Sequence, residues 1–286
     1  MDMDQIDNVM EKYDFRCFIC GSNRFIAEKG TTIREAVCEI CGSSKRNSDV
    51  ALAILKVLGF YEEYTLREIT NYLKHLSIYE VQSSGTIHDV LSLLPNYVCS
   101  EYFDDVKPGK IHPSGIRCED LQNLHFPDNS FDLIITQDVL EHVADPEKAF
   151  KELYRVLKPN GHHIFTVPIH EGRNTTKRAW VGDGGVIHLL PPVHHFDNLR
   201  PEGGLVFTDW GDDLIEYLNS FGFTTQIIVQ SQFYTQDKIP YISDGGTYME
   251  YINHKSSKSD ILRFFLYNSL VFSTRKEQCP GDHSIK

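Results

Sequence analysis

Between Asp128 and Pro168 the order of apolar and polar residues changes period twice. Phe131–Thr136 is a short apolar run rich in β-branched residues, bounded by the polar turn Asp128-Asn129-Ser130. It is too short for a buried helix and reads as a buried strand. Asp145-Pro146 then supplies an N-cap and a proline for the first helical turn. Ala149, Phe150, Leu153, Val156 and Leu157 recur at helical spacing until Lys158-Pro159-Asn160-Gly161 interrupts them. Ile164–Val167 begins a second strand. Two strands joined by a crossover helix of this length are expected to lie parallel, connected right-handedly, with ligands at their carboxyl ends. The first strand ends at Gln137-Asp138, so chemistry is expected there.

The same reading predicts helices over Ser48–Leu58 and Thr65–Leu76, a strand over Ser77–Gln82 and a helix over Thr86–Leu94. Strands follow at Tyr97–Tyr102 and Gly115–Cys118. Thr208 is a candidate N-cap for a helix over Asp209–Ser220, ended by Gly222. Phe223–Val229 and Ile261–Thr274 read as strands, with Phe264–Tyr267 and Val271–Thr274 as a closing hairpin. Gln230–Ser259 is polar and carries no readable role, and the tail after Lys276 is expected to be disordered. Strands alternating with helices place the chain in the α/β class.

Composition narrows the partners. The hydrophobic fraction is 41% and the charged fraction 24%, no apolar run approaches the roughly 20 residues of a membrane span, and the start is acidic rather than signal-like. A cytoplasmic location is expected. A formal net charge of -12 argues against a polyanionic partner, because nucleic-acid binding draws on Lys and Arg neutralising phosphates.

Cys17-Phe-Ile-Cys20 and Cys38-Glu-Ile-Cys41 are two CxxC pairs, each followed by a glycine, Gly21 and Gly42. Four thiolates at this spacing make a closed tetrahedral zinc site of the ribbon type. The alternative, disulfides, does not suit a chain without a secretory signal. Four sulfurs leave no open position, so the ion is expected to be structural. Residues 1–50 hold nine acidic and seven basic side chains, which gives this module no basic face for RNA.

Phe126-Pro-Asp-Asn-Ser-Phe-Asp132, Val139-Leu-Glu-His-Val143 and Arg155-Val-Leu-Lys-Pro-Asn-Gly161, taken in order, resemble the class I S-adenosylmethionine-dependent methyltransferases. The resemblance implies a Rossmann-like sheet, mostly parallel with its last strand antiparallel, behind the small N-terminal zinc ribbon. It also implies S-adenosylmethionine as cofactor. Glu80 takes the family's acidic place at the end of the first sheet strand, and Gln82, Ser83 and Gly85 lie in the loop that approaches the methionine part of the cofactor. Of that loop's usual glycines only Gly85 is present. Glu101, at the next strand end, takes the ribose hydroxyls, with Tyr102 packing on the adenine. Asp120 accepts from the adenine amino group, with Glu119 as the competing register, and Leu121 offers its amide. Gln137 lines the cleft. Asp138, His142 and His195 are the candidate catalytic residues, His142 as base or cofactor contact and Asp138 orienting it if the segment is helical. The alternative for His142 is a local packing role.

His170–Leu205 departs from the family core and is rich in His, Gly and Pro. Insertions of this kind form substrate lids. Leu190-Pro191-Pro192 with His195 and Asp197 resembles a subgroup of small bacterial methyltransferases; clustered histidines also open the possibility of a metal. The expected organisation is a zinc ribbon at 1–47, a linking helix at 48–64, a methyltransferase domain at 65–276 with a lid at about 169–207, and a tail at 277–286. The function implied is methyl transfer to a small-molecule or saccharide-type acceptor. A non-catalytic scaffold and a ribosomal RNA methyltransferase are the alternatives.

Overall fold

The computed structural model describes residues 10–13, 15–28, 33–170, 173–197, 199–228 and 270–277. The chain opens with a three-stranded antiparallel sheet of β1 (Met10–Tyr13), β2 (Phe25–Glu28) and β3 (Val37–Cys38), in that order. Helix α1 (Lys45–Val57) follows, with Ser44 in extended backbone accepting a bond from the Asn47 amide at 3.1 Å. A capping box between Thr65 and Glu68 starts α2 (Leu66–Ile69), which tightens into a 3-10 turn at Thr70–Leu73.

Strands β4 (Ile78–Glu80), β5 (Tyr97–Glu101), β6 (Arg117–Cys118), β7 (Phe131–Gln137) and β8 (Leu157–Thr166) are mutually parallel where they pair. Helix α3 (Thr86–Leu91) joins β4 to β5, and α4 (Pro146–Val156) joins β7 to β8 with Asp145 as its N-cap and Pro146 at the first turn. Six two-to-four-residue strands, β9 (Thr176–Lys177), β10 (Ala179–Gly182), β11 (Gly185–His188), β12 (His194–His195), β13 (Gly204–Leu205) and β14 (Thr208–Asp209), form the insertion. Helix α5 (Leu214–Asn219), β15 (Phe223–Ile228) and β16 (Val271–Lys276) complete the fold. The sheet order is β15-β16-β8-β7-β4-β5-β6, with β16 antiparallel to both neighbours.

Side chains alternate across this sheet as a period of two demands. Ile78, Leu133, Ile135, Ile164 and Val271 face α1 and α3, whereas Tyr79, Ile134, Phe165 and Phe272 face α4 and α5. Over Val50–Leu55 helix α1 is apolar on every side, all six residues being fully buried. A helix with no polar face must be covered all round. The sheet covers one side and the cysteine module, through Phe15, Phe18, Ile19 and Phe25, covers the other. Each large aliphatic side chain so buried contributes about 1.5–3 kcal/mol. At the edge of this core Lys45, fully buried, places Nζ 2.7 Å from both oxygens of Asp49, with Phe15 beneath the ammonium.

Several sequence expectations move. α1 starts at Lys45 because Ser44 caps it, and it packs into the sheet core rather than simply connecting two parts. The break at Lys158–Gly161 does end α4, but as a bulge inside β8, where the register shifts and Asn160 turns left-handed at φ 64°. Thr208 is not a helix cap: it pairs with Lys177 in β14, and the helix waits for the Gly211 turn and begins at Leu214 after Asp213. Val271–Lys276 pairs with β15 on one edge and β8 on the other; Phe264–Tyr267, the other arm of the expected hairpin, lies outside the described residues. Gln230–Ser259 and the tail beyond Glu277 also lie outside them. No helix among the described residues is long and apolar enough to cross a membrane.

The Lys45–Asp49 pair generates a direct expectation. Asp49→Ala removes the carboxylate held against this buried ammonium and is expected to cost about 3–5 kcal/mol in urea unfolding, whereas the double change Lys45→Met with Asp49→Leu is expected to recover most of that loss.

Candidate functional site

Parallel order puts the carboxyl ends of β4, β5, β6 and β7 side by side; the chain ends β4 and β5 in acids and follows β6 with Glu119-Asp120 and β7 with Asp138. Glu80 closes β4, 1% exposed; its Oε2 accepts a bond from the Tyr97 hydroxyl at 2.8 Å, and Oε1 has no hydrogen-bond partner among the described residues. Burial, reinforced by the neighbouring Glu101 charge against the Tyr97 bond, pushes this carboxyl up to about 8. Glu101 closes β5; its Oε1 accepts both the backbone amide and the hydroxyl of Ser83, each at 2.8 Å. Burial raises its carboxyl above the ordinary value, against those two bonds.

Beyond β6, Glu119 is buried beneath Arg117 at 2.5 Å and the His125 amide at 3.1 Å, which makes it structural. Asp120 remains half-buried, accepting from the Gln122 amide at 2.9 Å, and Leu121 is buried behind it. Tyr102 is 47% exposed. The loop between β4 and α3 keeps one conformationally demanding glycine, Gly85 at φ 98°, immediately before the helix. Gln82 and Gln137 meet across this loop, Nε2 of Gln137 lying 3.4 Å from Oε1 of Gln82.

At the tip of β7 the expectation for Asp138 and His142 fails. Asp138 sits in the left-handed region at φ 50°, an arrangement its short polar side chain tolerates, and Leu140–His142 is a 3-10 turn rather than an α-helix, so the two side chains do not pair. Asp138 is instead bound by the guanidiniums of Arg34 and Arg46 and by the Thr166 hydroxyl at 2.9 Å. Burial works against its charge, but the two guanidiniums outweigh it and hold the carboxyl below the usual carboxylate range. Arg34 and Arg46 come from the cysteine-bearing end of the chain, and nothing in their sequence context points to a strand tip a hundred residues on.

His142 and His195 do come together. Their rings meet edge to face with centroids 5.2 Å apart, and His142 Nδ1 donates to the Leu205 carbonyl at 2.9 Å. Gly204 lies on the His142 ring, where a Cβ would stand 3.1 Å from Nδ1. Glu141, 1% exposed, faces a nitrogen of each ring; the sequence reading named it only as part of the Val139–Val143 motif and gave it no role. The insertion is pinned over the neighbouring tips by Arg200, which reaches Asp104 at 3.0 Å, Asp197 at 2.7 Å and the Tyr102 carbonyl at 3.2 Å.

The four cysteines form one cluster, with Sγ–Sγ distances of 3.6 Å for Cys17–Cys41 and 3.7 Å for Cys20–Cys38. These are far longer than a disulfide and close to about 3.8 Å, the edge of a tetrahedron with metal–sulfur bonds of about 2.3 Å. Gly21 at φ 84° and Gly42 at φ 73° turn the chain so that their amides reach the Cys17 and Cys38 carbonyls. The donor set fits a tetrahedral divalent cation.

Residues 96–165 match the family described as "Methyltransferase domain". The chain has the Rossmann-like methyltransferase fold. Over 59 residues it is 42% identical to an uncharacterized methyltransferase of Schizosaccharomyces pombe, covering 21% of each chain. It is 33% identical over 92 residues to a malonyl-[acyl-carrier protein] O-methyltransferase of Marinomonas sp., covering 32% of each, and 40% identical over 73 residues to the ubiquinone/menaquinone biosynthesis C-methyltransferase UbiE of Cronobacter sakazakii, covering 24% of this chain and 27% of that one. The matches therefore span between about a fifth and a third of these curated relatives. An S-adenosylmethionine-dependent methyltransferase structure from Mesorhizobium loti superposes with a TM-score of 0.40 at 16% identity, covering 77% of this chain and all of that one. The matched region of this methyltransferase fold includes Glu101, Asp120, Asp138 and His142, and leaves out the cysteine module and the insertion.

Glu80 ties the site to pH. Its carboxyl is neutral in the folded chain up to about 8 but ionises near 4.5 when unfolded, so its contribution to stability is fully present below about 4.5 and is lost as pH rises to about 8. Glu80→Gln abolishes that dependence. The variant is expected to match the parent near pH 4.5 and to exceed it progressively toward pH 8, by at most about 4 kcal/mol, in urea titrations across that range.

Proposed function

We propose that the chain is an S-adenosylmethionine-dependent methyltransferase acting on a small-molecule or saccharide-type acceptor, with structural zinc at Cys17, Cys20, Cys38 and Cys41. The observation that carries the reading is the row of acids at three adjacent parallel strand tips, Glu80, Glu101 and Asp120, beside a loop whose Gly85 has positive φ. In this reading Glu101 accepts from the ribose hydroxyls with Tyr102 near the base, and Asp120 and the Leu121 amide meet the adenine edge. Glu80, Gln82, Ser83 and Gln137 surround the methionine part. The cofactor supplies an electrophilic sulfonium methyl. The protein's share is alignment of donor and acceptor and exclusion of water under the insertion.

Where the acceptor is a hydroxyl, a base is needed, and His195 is suited to it. The Glu141 carboxylate, opposed by burial, raises this imidazole above its ordinary value. Asp138, held as an ion pair by Arg34 and Arg46, serves position rather than proton transfer. Net charge and the curated relatives' acceptors both favour a small acceptor over a nucleic acid.

A second reading, a non-catalytic scaffold with the same fold, is favoured by one observation: Ser83 already occupies one oxygen of Glu101 with two bonds. Calorimetric titration with S-adenosylmethionine separates the two. The enzyme reading expects saturable heat well below millimolar ligand and at least a tenfold loss of affinity in Glu101→Ala, since two charge-assisted bonds of about 1.5 kcal/mol or more are removed. No heat at millimolar ligand leaves the scaffold.

A further inference from the structure

Glu141 is a buried carboxylate with neither oxygen hydrogen-bonded to any described residue. Leaving such a group unpaired costs several kcal/mol, and a carboxylate in this position is retained only where something charged meets it. Two imidazoles flank it, His142 Nε2 at 3.7 Å and His195 Nδ1 at 3.6 Å from the same oxygen, Oε1. Both separations are too long for hydrogen bonds. They are within a few tenths of an ångström of the roughly 3.0–3.4 Å that separates neighbouring donors on one cation with bonds of about 2.0–2.2 Å. All three donor atoms lie within 4.8 Å of one another.

The tautomer is set as well. His142 Nδ1 donates to the Leu205 carbonyl at 2.9 Å, so its hydrogen is committed there and the lone pair sits on Nε2, the nitrogen nearest Glu141. Backbone carbonyls orient metal-bound histidines in just this manner. The same strand pair that supplies Leu205 carries His195, for β12 and β13 pair His194 with Leu205 and His195 with Gly204. Glu141 is fixed to the insertion by its own carbonyl, which accepts from the Phe207 amide at 2.8 Å. Two ligands thus come from the turn after β7 and one from the insertion that folds over it.

We propose that Glu141, His142 and His195 form a second metal site, distinct from the cysteine cluster, for a divalent transition-metal cation. Two imidazoles and one carboxylate suit zinc, cobalt, manganese, iron or nickel rather than calcium or magnesium. Three protein ligands leave coordination positions for an oxygen donor, water or a substrate hydroxyl. The site does not depend on the methyltransferase reading and would hold equally in a scaffold; with the ion bound, His195 is a ligand and does not serve as the base proposed above.

The experiment uses the full chain loaded with one equivalent of zinc at the cysteines. Cobalt(II) is then added and followed by absorption, with bound metal counted by elemental analysis. The expected result is a second equivalent of metal, visible cobalt d–d bands and no thiolate-to-cobalt charge-transfer band. Glu141→Gln and His195→Ala are each expected to weaken that second equivalent by about 100-fold while keeping the first. His195 is 39% exposed, so its replacement does not threaten the fold. Binding of one equivalent only, or an unchanged second equivalent in both variants, overturns the proposal. In that case the cluster is a buried carboxylate paired with a histidinium.

Discussion

The middle of helix α1, Val50–Leu55, has no side open to water, and most of the architecture follows from covering it. Six consecutive residues from Val50 to Leu55 are fully buried, which is possible only if two layers close over the helix from opposite directions. The seven-stranded sheet supplies one. The cysteine module, too small to build a core alone, supplies the other; the metal proposed for its four sulfurs would make so few residues a rigid cover. The module and the sheet therefore share one core. Ser48 joins them again by hydrogen bonds, its hydroxyl accepting from the Phe18 amide at 2.9 Å and donating to the Arg16 carbonyl at 3.2 Å.

That shared core places the module's cations where the sheet does its work. Arg46 stands on the first turn of α1 and Arg34 in the short 3-10 turn before β3, and both end on Asp138 at the tip of β7. A carboxylate in a left-handed backbone conformation, with two guanidiniums and a hydroxyl on it, is a rigid corner. It fixes where the chain turns out of the sheet, and so where Glu141 and His142 stand three and four residues later. The insertion then closes on that corner through Gly204, whose missing side chain lets the backbone rest on the His142 ring.

What could be read from the sequence divides along physical lines. Strand β7, helix α4 and their order were legible because period and caps are local, and the boundaries of Phe131–Gln137 and Pro146–Val156 fall within a residue or so of expectation. The row of acids at strand tips was legible for the same reason, since a strand's end is marked in its own residues. Thr208 misled because a threonine before acidic residues looks like a cap, while its partner Lys177 lies thirty positions upstream. The ion pairs on Asp138 and the position of Glu141 between two imidazoles were illegible, because each joins residues that only the folded sheet brings near. Even the neighbouring pair Glu141-His142 carried no warning, as adjacent residues in a helix would point apart.

The strand order carries a kinetic cost. Among the described residues β15 has β16 as its sole sheet neighbour, and β16 also seals the open side of β8, with Phe272 opposite Phe165 at a distance on the order of a hundred positions along the chain. A pairing so remote in sequence forms late, after local units have assembled. Until it forms, a half-built intermediate presents the bare backbone of β8, a template for unwanted strand addition. An unpaired row of amides and carbonyls of this kind is the part of a sheet most open to edge-to-edge aggregation.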